Sequence, residues 1–184
     1  MTNRTLVVSI DALITADIPV LKQLPNLGRV MEHASWITDI ECIYPTLTYP
    51  CHATIATGCW PDRTGINNNE IPDFFAKGRM DWYWWREAIQ VPTVVDFARQ
   101  AGLTASTVTW PVMCASGAEY NIGEIWAPRE EDDPTPWFTR ANSPAVAKIF
   151  EANKHMLRWM KTPQMDEFAA KCAADIIRAH RPDL

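Results

Sequence analysis

Glycine is scarce: seven residues in 184, where average usage of about 7% would supply roughly thirteen. So few glycines leave no glycine-rich loop to cradle phosphates with backbone amides, which excludes the nucleotide-binding classes built on one. Basic residues are also in the minority, 17 Lys and Arg against 22 Asp and Glu for a net charge of −5. The basic face that coats a nucleic-acid polymer is therefore missing, and no such partner is expected. No apolar run approaches the roughly eighteen residues of a membrane span, and residues 6–10 meet Asp11 before the core of a secretory signal is complete. A soluble, cytoplasmic protein without a membrane partner is the expectation. The five cysteines, Cys42, Cys51, Cys59, Cys114 and Cys172, are odd in number and lack C-x-x-C spacing, which excludes a zinc knuckle or dithiol redox pair and predicts free thiols in a reducing compartment.

What is present is material for an ordinary core. Hydrophobic residues make up 47% and charged residues 21%, and the length suits one domain of about 100–200 residues. The β-branched run at 6–10 predicts a buried strand of a parallel sheet, and alternation over 36–43 a half-exposed strand. Apolar spacing over 17–33 predicts a helix broken around Pro25. A helix of about two turns is predicted from Pro50 to a stop at Gly58, with Pro61 shortly after. Residues 67–90 read as irregular and aromatic, 93–101 as a helix closed by Gly102, and 104–109 as a strand. The acidic run 130–134 reads as a solvated loop, and 143–161 and 166–179 as helices. Strands alternating with helices argue for an α/β layer fold.

Three polar features fall where such a fold places ligands, beyond the carboxyl ends of its strands. Asp11 ends the first predicted strand and can hold a cation or cap the next turn. Thr48, between Pro45 and Pro50, lies at a helix start, where free N–H groups and the helix dipole favour an anion. It is either an ordinary N-cap or a nucleophile; a neutral hydroxyl needs a base or a metal, and no base adjoins it in sequence. Asn67-Asn68-Asn69 can form a turn, or one amide can donate to a phosphoryl oxygen as charge builds.

Together these pieces resemble the nucleotide pyrophosphatase/phosphodiesterase branch of the alkaline phosphatase superfamily. The matching segments are Val7-Val8-Ser9-Ile10-Asp11-Ala12-Leu13, Leu24-Pro25-Asn26-Leu27 and Tyr44-Pro45-Thr46-Leu47-Thr48-Tyr49-Pro50-Cys51-His52. They continue through Thr57-Gly58-Cys59-Trp60-Pro61, Thr64-Gly65-Ile66, Asn69, Pro92-Thr93, Gly102-Leu103 and Trp110-Pro111. The threonine framed as P-T-x-T-[FY]-P-x-H is the most specific of them. The resemblance implies a layered α/β fold with a mostly parallel central sheet flanked by helices, incomplete in this chain. It implies that Asp11 is a metal ligand, that Thr48 is both ligand and nucleophile, and that Asn69 binds phosphate. Tyr49 is implied as a base-stacking residue and Trp110 as a pocket wall. Cys51 and Thr64 depart from the asparagine and histidine common in nucleotide-cleaving members and leave the substrate open.

The implied reaction is hydrolysis of phosphodiester or pyrophosphate bonds in a small phosphorylated substrate, a nucleotide being one candidate. It runs through a phosphothreonine and uses two divalent metal ions, zinc in the nucleotide-cleaving members. A phosphonate or phosphomonoester hydrolase, or a non-catalytic binding module, is the alternative. Members of the family carry further aspartate and histidine ligands downstream, one pair after a strand beginning R-P-D-L, and the sequence ends at Arg181-Pro182-Asp183-Leu184. Residues 1–184 are therefore expected to be the N-terminal portion of a catalytic domain, inactive in isolation, with an exposed sheet edge or an unfilled core where the remainder would dock. His33, His52, His155 and His180 match no family ligand and are expected at the surface or in packing.

Overall fold

Prolines, glycines and capping side chains set where the helices begin and end. The structure, a computed structural model, describes residues 4–72, 81–158 and 161–184; residues 73–80 of the expected irregular segment and 159–160 of the expected helix over 143–161 lie outside them. The chain divides into two units, residues 7–43 and the remainder.

In the smaller unit, a single 3-10 turn at Thr15–Asp17 leads into α1 (Ile18–Leu21) and α2 (Pro25–Met31). The predicted break at Pro25 is present. Proline takes the first position of α2, where its missing N–H leaves no ladder bond unmade. Gly28 is required by close approach, because a Cβ there would lie 2.4 Å from the Lys22 carbonyl oxygen. The Lys22 ammonium stands 5.4 Å from the Trp36 ring centroid, and the Trp36 indole N–H donates to Met31 O at 3.3 Å.

Neither predicted strand in this part of the chain forms. Residues 6–10 and 36–43 make no ladder among the described residues, and most of their apolar side chains are exposed, Leu6 at 70% and Ile37 at 78%. A β-branched or alternating run marks a surface suited to burial, but a strand exists only where a neighbouring backbone meets its N–H and C=O groups.

The larger unit carries α3 (Thr48–Thr57), α4 (Pro61–Thr64), α5 (Val94–Gln100), β1 (Ser106–Val108), β2 (Tyr120–Ile122), α6 (Thr135–Ala141), α7 (Ala147–Asn153) and α8 (Gln164–His180). Helix α3 starts two residues before the predicted Pro50 and stops, as predicted, at Gly58 in the left-handed region (φ 67°). β1 pairs in parallel with β2, Thr107 opposite Asn121. On the other side of β1, the Asp183 and Leu184 amides donate to Thr104 O (3.0 and 3.1 Å) and Ser106 N–H donates to Leu184 O (2.7 Å). Thr5 N–H reaches Asp183 O at 2.9 Å. The architecture is the expected α/β class, with a two-stranded parallel sheet among the described residues. None of the described helices is long and apolar enough to cross a membrane.

One further prediction needs correcting. Residues 143–161 do not form one helix: a 3-10 turn at Pro144–Val146, α7, and a second turn at Lys154–Met156 replace it. The buried Asn153 is the cause, its amide donating to Ile149 O (2.9 Å) and to Asp175 of α8 (3.0 Å) and so anchoring the chain sideways where the helix would continue. The main core lies between the last three helices, with Phe138 of α6, Phe150 of α7 and Phe168 of α8 in mutual contact at centroid distances of 4.9, 6.0 and 6.3 Å. Phe168, Cys172 and Ile176 recur every four residues and make the buried stripe of α8. A second cluster forms under α3 from Tyr49, Ala53 and Ala56 with Ile66, Ile89, Val112 and Met113.

Helix α5 begins in a capping box. The Thr93 hydroxyl accepts from Asp96 N–H, and the Asp96 carboxylate accepts from Thr93 N–H (2.7 Å), the Thr93 hydroxyl (2.8 Å) and Arg86. Burial alone would raise the Asp96 carboxyl, but these donors outweigh it and hold the pKa below the ordinary value. Folded Asp96 thus binds its proton more weakly than unfolded Asp96, so the stability it contributes is complete above the unfolded value of about 4 and is lost as pH falls through the folded one. Asp96→Asn is expected to be less stable than wild type near neutral pH, with the gap closing on acidification. Urea midpoints measured from about pH 6 to pH 2 check this; a gap independent of pH would overturn it.

Candidate active site

Leu47, extended at φ −122° and ψ 154°, is the N-cap of α3 and makes no side-chain cap. Thr48 is therefore the first helical residue. Its hydroxyl is not spent on capping, which removes the reading of an ordinary N-cap. The side chain is half-buried. Of the first-turn amides, Cys51 N–H goes back to Leu47 O (3.0 Å), Pro50 has none, and Tyr49 N–H donates to Asn69 Oδ1 at 2.9 Å.

That last bond brings Thr48 and Asn69 together across twenty residues of sequence. Asn69 is held from its own side, its carbonyl accepting from Tyr83 N–H (3.0 Å) and its N–H donating to Asn68 Oδ1 (2.8 Å). The adjoining Glu70–Trp82 bridge and the Ile71 N–H to Asp81 O bond (2.7 Å) fix the loop. Within the triplet, Asn68 bonds its neighbour's backbone as a turn former does, and Asn69 reaches the start of α3 through its Oδ1. With Oδ1 committed to a backbone donor, the Asn69 side chain has its Nδ2 protons to offer an anion beside Thr48.

Trp110 stands two residues past the carboxyl end of β1. Its indole N–H donates to His52 O (3.3 Å), and the two rings meet edge to face at 5.2 Å. His52 in turn places Nδ1 2.7 Å from Thr48 O. This ties the start of α3 to the turn that follows β1. The flanking residues Thr109 (φ 45°) and Val112 (φ 61°) are β-branched and left-handed, a conformation costing about 1–3 kcal/mol each. Thr109 N–H bonds Ile122 O (2.8 Å) and Val112 is fully buried, so the surrounding packing holds the strained turn. His52, expected at the surface or in packing, is buried, and sequence reading gave it no part beside Thr48; its position four residues on, on the same helical face, was the available signal.

Tyr49 lies elsewhere than a stacking role requires. It is 1% exposed, edge-on to Trp82 at 5.3 Å, with its hydroxyl in the core beside Glu124 and Trp84. Tyr49 shares the α3 face of Ala53 and Ala56, which points inward, so its ring offers no open face to a base. Burial, with the charge of Glu124 nearby, raises its pKa far above the ordinary tyrosine range. Cys114 is pushed up to about 12 by burial and then by Glu124, which makes it an inert core thiol, and none of the five cysteines is in a disulfide. Thr64 is fully buried and accepts from Ile66 N–H (3.2 Å).

Asp11 belongs to the smaller unit, where it is exposed in the turn that contains Ala12 (φ 59°). It does not occupy the N-cap of the turn that follows, which is Ile14. A carboxylate and a hydroxyl are suitable in kind for a divalent cation, but a zinc centre takes at least three protein donors. Among the described residues no group of three or more His, Cys, Asp or Glu side chains converges.

The chain is 28% identical over 112 residues to ectonucleotide pyrophosphatase/phosphodiesterase family member 1 of Homo sapiens, covering 56% of the chain and 11% of that protein. It is 26% identical over 151 residues to venom phosphodiesterase 2 of Crotalus adamanteus, covering 77% and 16% respectively. Human bis(5'-adenosyl)-triphosphatase is 27% identical over 114 residues, covering 59% of this chain and 24% of its own length. The chain thus spans a quarter or less of these relatives. Among solved structures, phosphonoacetate hydrolase from Sinorhizobium meliloti 1021 superposes with a TM-score of 0.58 at 18% identity, over 91% of this chain and 40% of that one. That likeness shows the fold, an alkaline-phosphatase-like arrangement. The family described as type I phosphodiesterase / nucleotide pyrophosphatase matches residues 5–184, and the chain belongs to it.

Proposed function

We propose that this chain is the nucleophile-bearing part of a hydrolase of phosphodiester or pyrophosphate bonds in small phosphorylated substrates. The observation that carries the reading is the Asn69 Oδ1 bond to Tyr49 N–H, which sets an amide donor within one peptide unit of an uncapped threonine at a helix N-terminus. The Thr48 oxygen attacks phosphorus in line with the leaving group and forms a phosphothreonine, and water then cleaves that ester and restores the hydroxyl. Asn69 Nδ2 donates to a non-bridging oxygen as charge accumulates, and the positive end of α3 favours the same charge. Trp110 lines the crevice. Asp11 and Thr48 each keep a proposed ligand role toward divalent metals, whose chemistry would be to promote loss of the threonine proton and to neutralise the phosphoryl group. The other ligands are proposed to lie in sequence beyond these 184 residues. In support, the chain spans a quarter or less of the length of the relatives it matches.

The test uses the full-length protein with bis-p-nitrophenyl phosphate and the corresponding monoester, with zinc and after chelation. Diester cleavage lost on chelation is expected. Asn69→Ala is expected to lower kcat by about 10²–10³-fold, the cost of removing one donor to a developing charge. Cleavage of the monoester alone would point to a phosphomonoesterase, and inertness toward both would favour a binding module.

A further inference from the structure

The peptide unit joining Thr48 to Tyr49 is held from both ends. Its carbonyl accepts from His52 Nδ1 at 2.7 Å, and its N–H donates to Asn69 Oδ1 at 2.9 Å. Because a carbonyl can only accept, His52 carries a proton on Nδ1. The imidazole is itself fixed: His52 is 7% exposed, its ring meets Trp110 edge-on, and its own carbonyl takes the Trp110 indole N–H. From this geometry we propose that His52 is a positioning residue for the Thr48 hydroxyl. It locks the plane of the 48–49 peptide and hence the direction in which the Thr48 side chain leaves the backbone.

The helix ladder already offers the Thr48 carbonyl a partner in the His52 main-chain N–H, so helix formation alone does not call for a second donor. Thr48, however, is the first residue of α3, and first turns fray where later ones do not. A displacement of about 1 Å at a nucleophile costs on the order of a hundredfold in rate. His52 and Asn69 grip the same peptide group, so the proposed phosphate donor and the proposed nucleophile are set against each other through one rigid plane. Trp110 contributes by holding His52.

The inference rests on Thr48 being the nucleophile, and the experiment separates the two. In the full-length protein, kcat and KM for bis-p-nitrophenyl phosphate are measured with zinc for Thr48→Ala, His52→Phe, His52→Asn and His52→Gln, together with melting temperatures. Phenylalanine keeps a ring against Trp110 and removes the donor; it should lower kcat by about 10–100-fold with KM within about threefold. Asparagine sets an N–H near the Nδ1 position and should recover kcat to within about fivefold, whereas glutamine, with its donor one carbon farther out, should not. Inactive Thr48→Ala beside an unimpaired His52→Phe would overturn the positioning role. Equal losses in the asparagine and glutamine variants, or losses that track melting temperature, would do the same. If Thr48→Ala turned over like wild type, the nucleophile reading would fail, and the inference with it. Should His52→Phe not fold, the asparagine and glutamine pair decides alone.

Discussion

Thr48→Ala in the full-length protein is expected to reduce kcat toward bis-p-nitrophenyl phosphate by at least about a thousandfold, because it removes the oxygen proposed to form the covalent bond to phosphorus. The loss should not come from unfolding. Thr48 occupies the first position of α3, makes no capping bond and is only half-buried, while alanine is the better helix former. Its contacts to His52 and Asn69 run through the 48–49 backbone and survive the substitution. Thr48→Ser, which keeps a hydroxyl at the same position, should retain measurable turnover and form a phosphoserine that mass spectrometry can trap. Wild-type turnover in Thr48→Ala would remove the nucleophile assignment, whatever the other variants did.

The largest expected effect on stability belongs to Phe168→Ala. Phe168 is fully buried between Phe138 and Phe150, and its ring joins α8 to α6 and α7. Removing it deletes the apolar surface it buries and leaves a cavity among aromatic neighbours that cannot collapse without moving a helix, a combination worth about 3–5 kcal/mol. Phe168→Leu, closer in volume, should cost much less, about 1.5 kcal/mol or under. Urea unfolding of the full-length protein followed by circular dichroism checks both. A loss below about 1 kcal/mol for the alanine variant would show that the three-helix core does not hold this part of the molecule.

The parts of the fold legible in the sequence are those set by local chemistry. Gly58 stops α3 because a left-handed residue ends a helix wherever it occurs, Pro25 restarts the chain as α2, and Thr93 with Asp96 caps α5 within four residues. The misread elements depend on partners far away in sequence. Residues 6–10 and 36–43 have strand-like patterns, but pattern alone supplies no neighbouring backbone. β2, only Tyr120–Ile122, is too short to leave a periodic signal and exists because β1 lies beside it. Asn153 interrupts the predicted helix through a bond to Asp175, twenty-two residues away.

The candidate site divides in the same way. Residue types and order alone picked out Thr48 between its prolines, the turn Asn67-Asn68-Asn69 and Asp11 after an apolar run, and the family resemblance they carried singled out Asn69 and added Trp110, because a rigid helix start and an amide-rich turn leave a local signature. Only the tertiary structure decided which asparagine reaches the helix, that Tyr49 turns inward to Trp82, and that His52 holds the peptide next to Thr48. The reason is physical. Chain stiffness and capping act over a few residues and can be read in order, whereas burial and hydrogen-bond partnership are set by which segments meet after folding, and here Tyr49 meets Asn69, Trp82 and Glu124 from distant parts of the sequence.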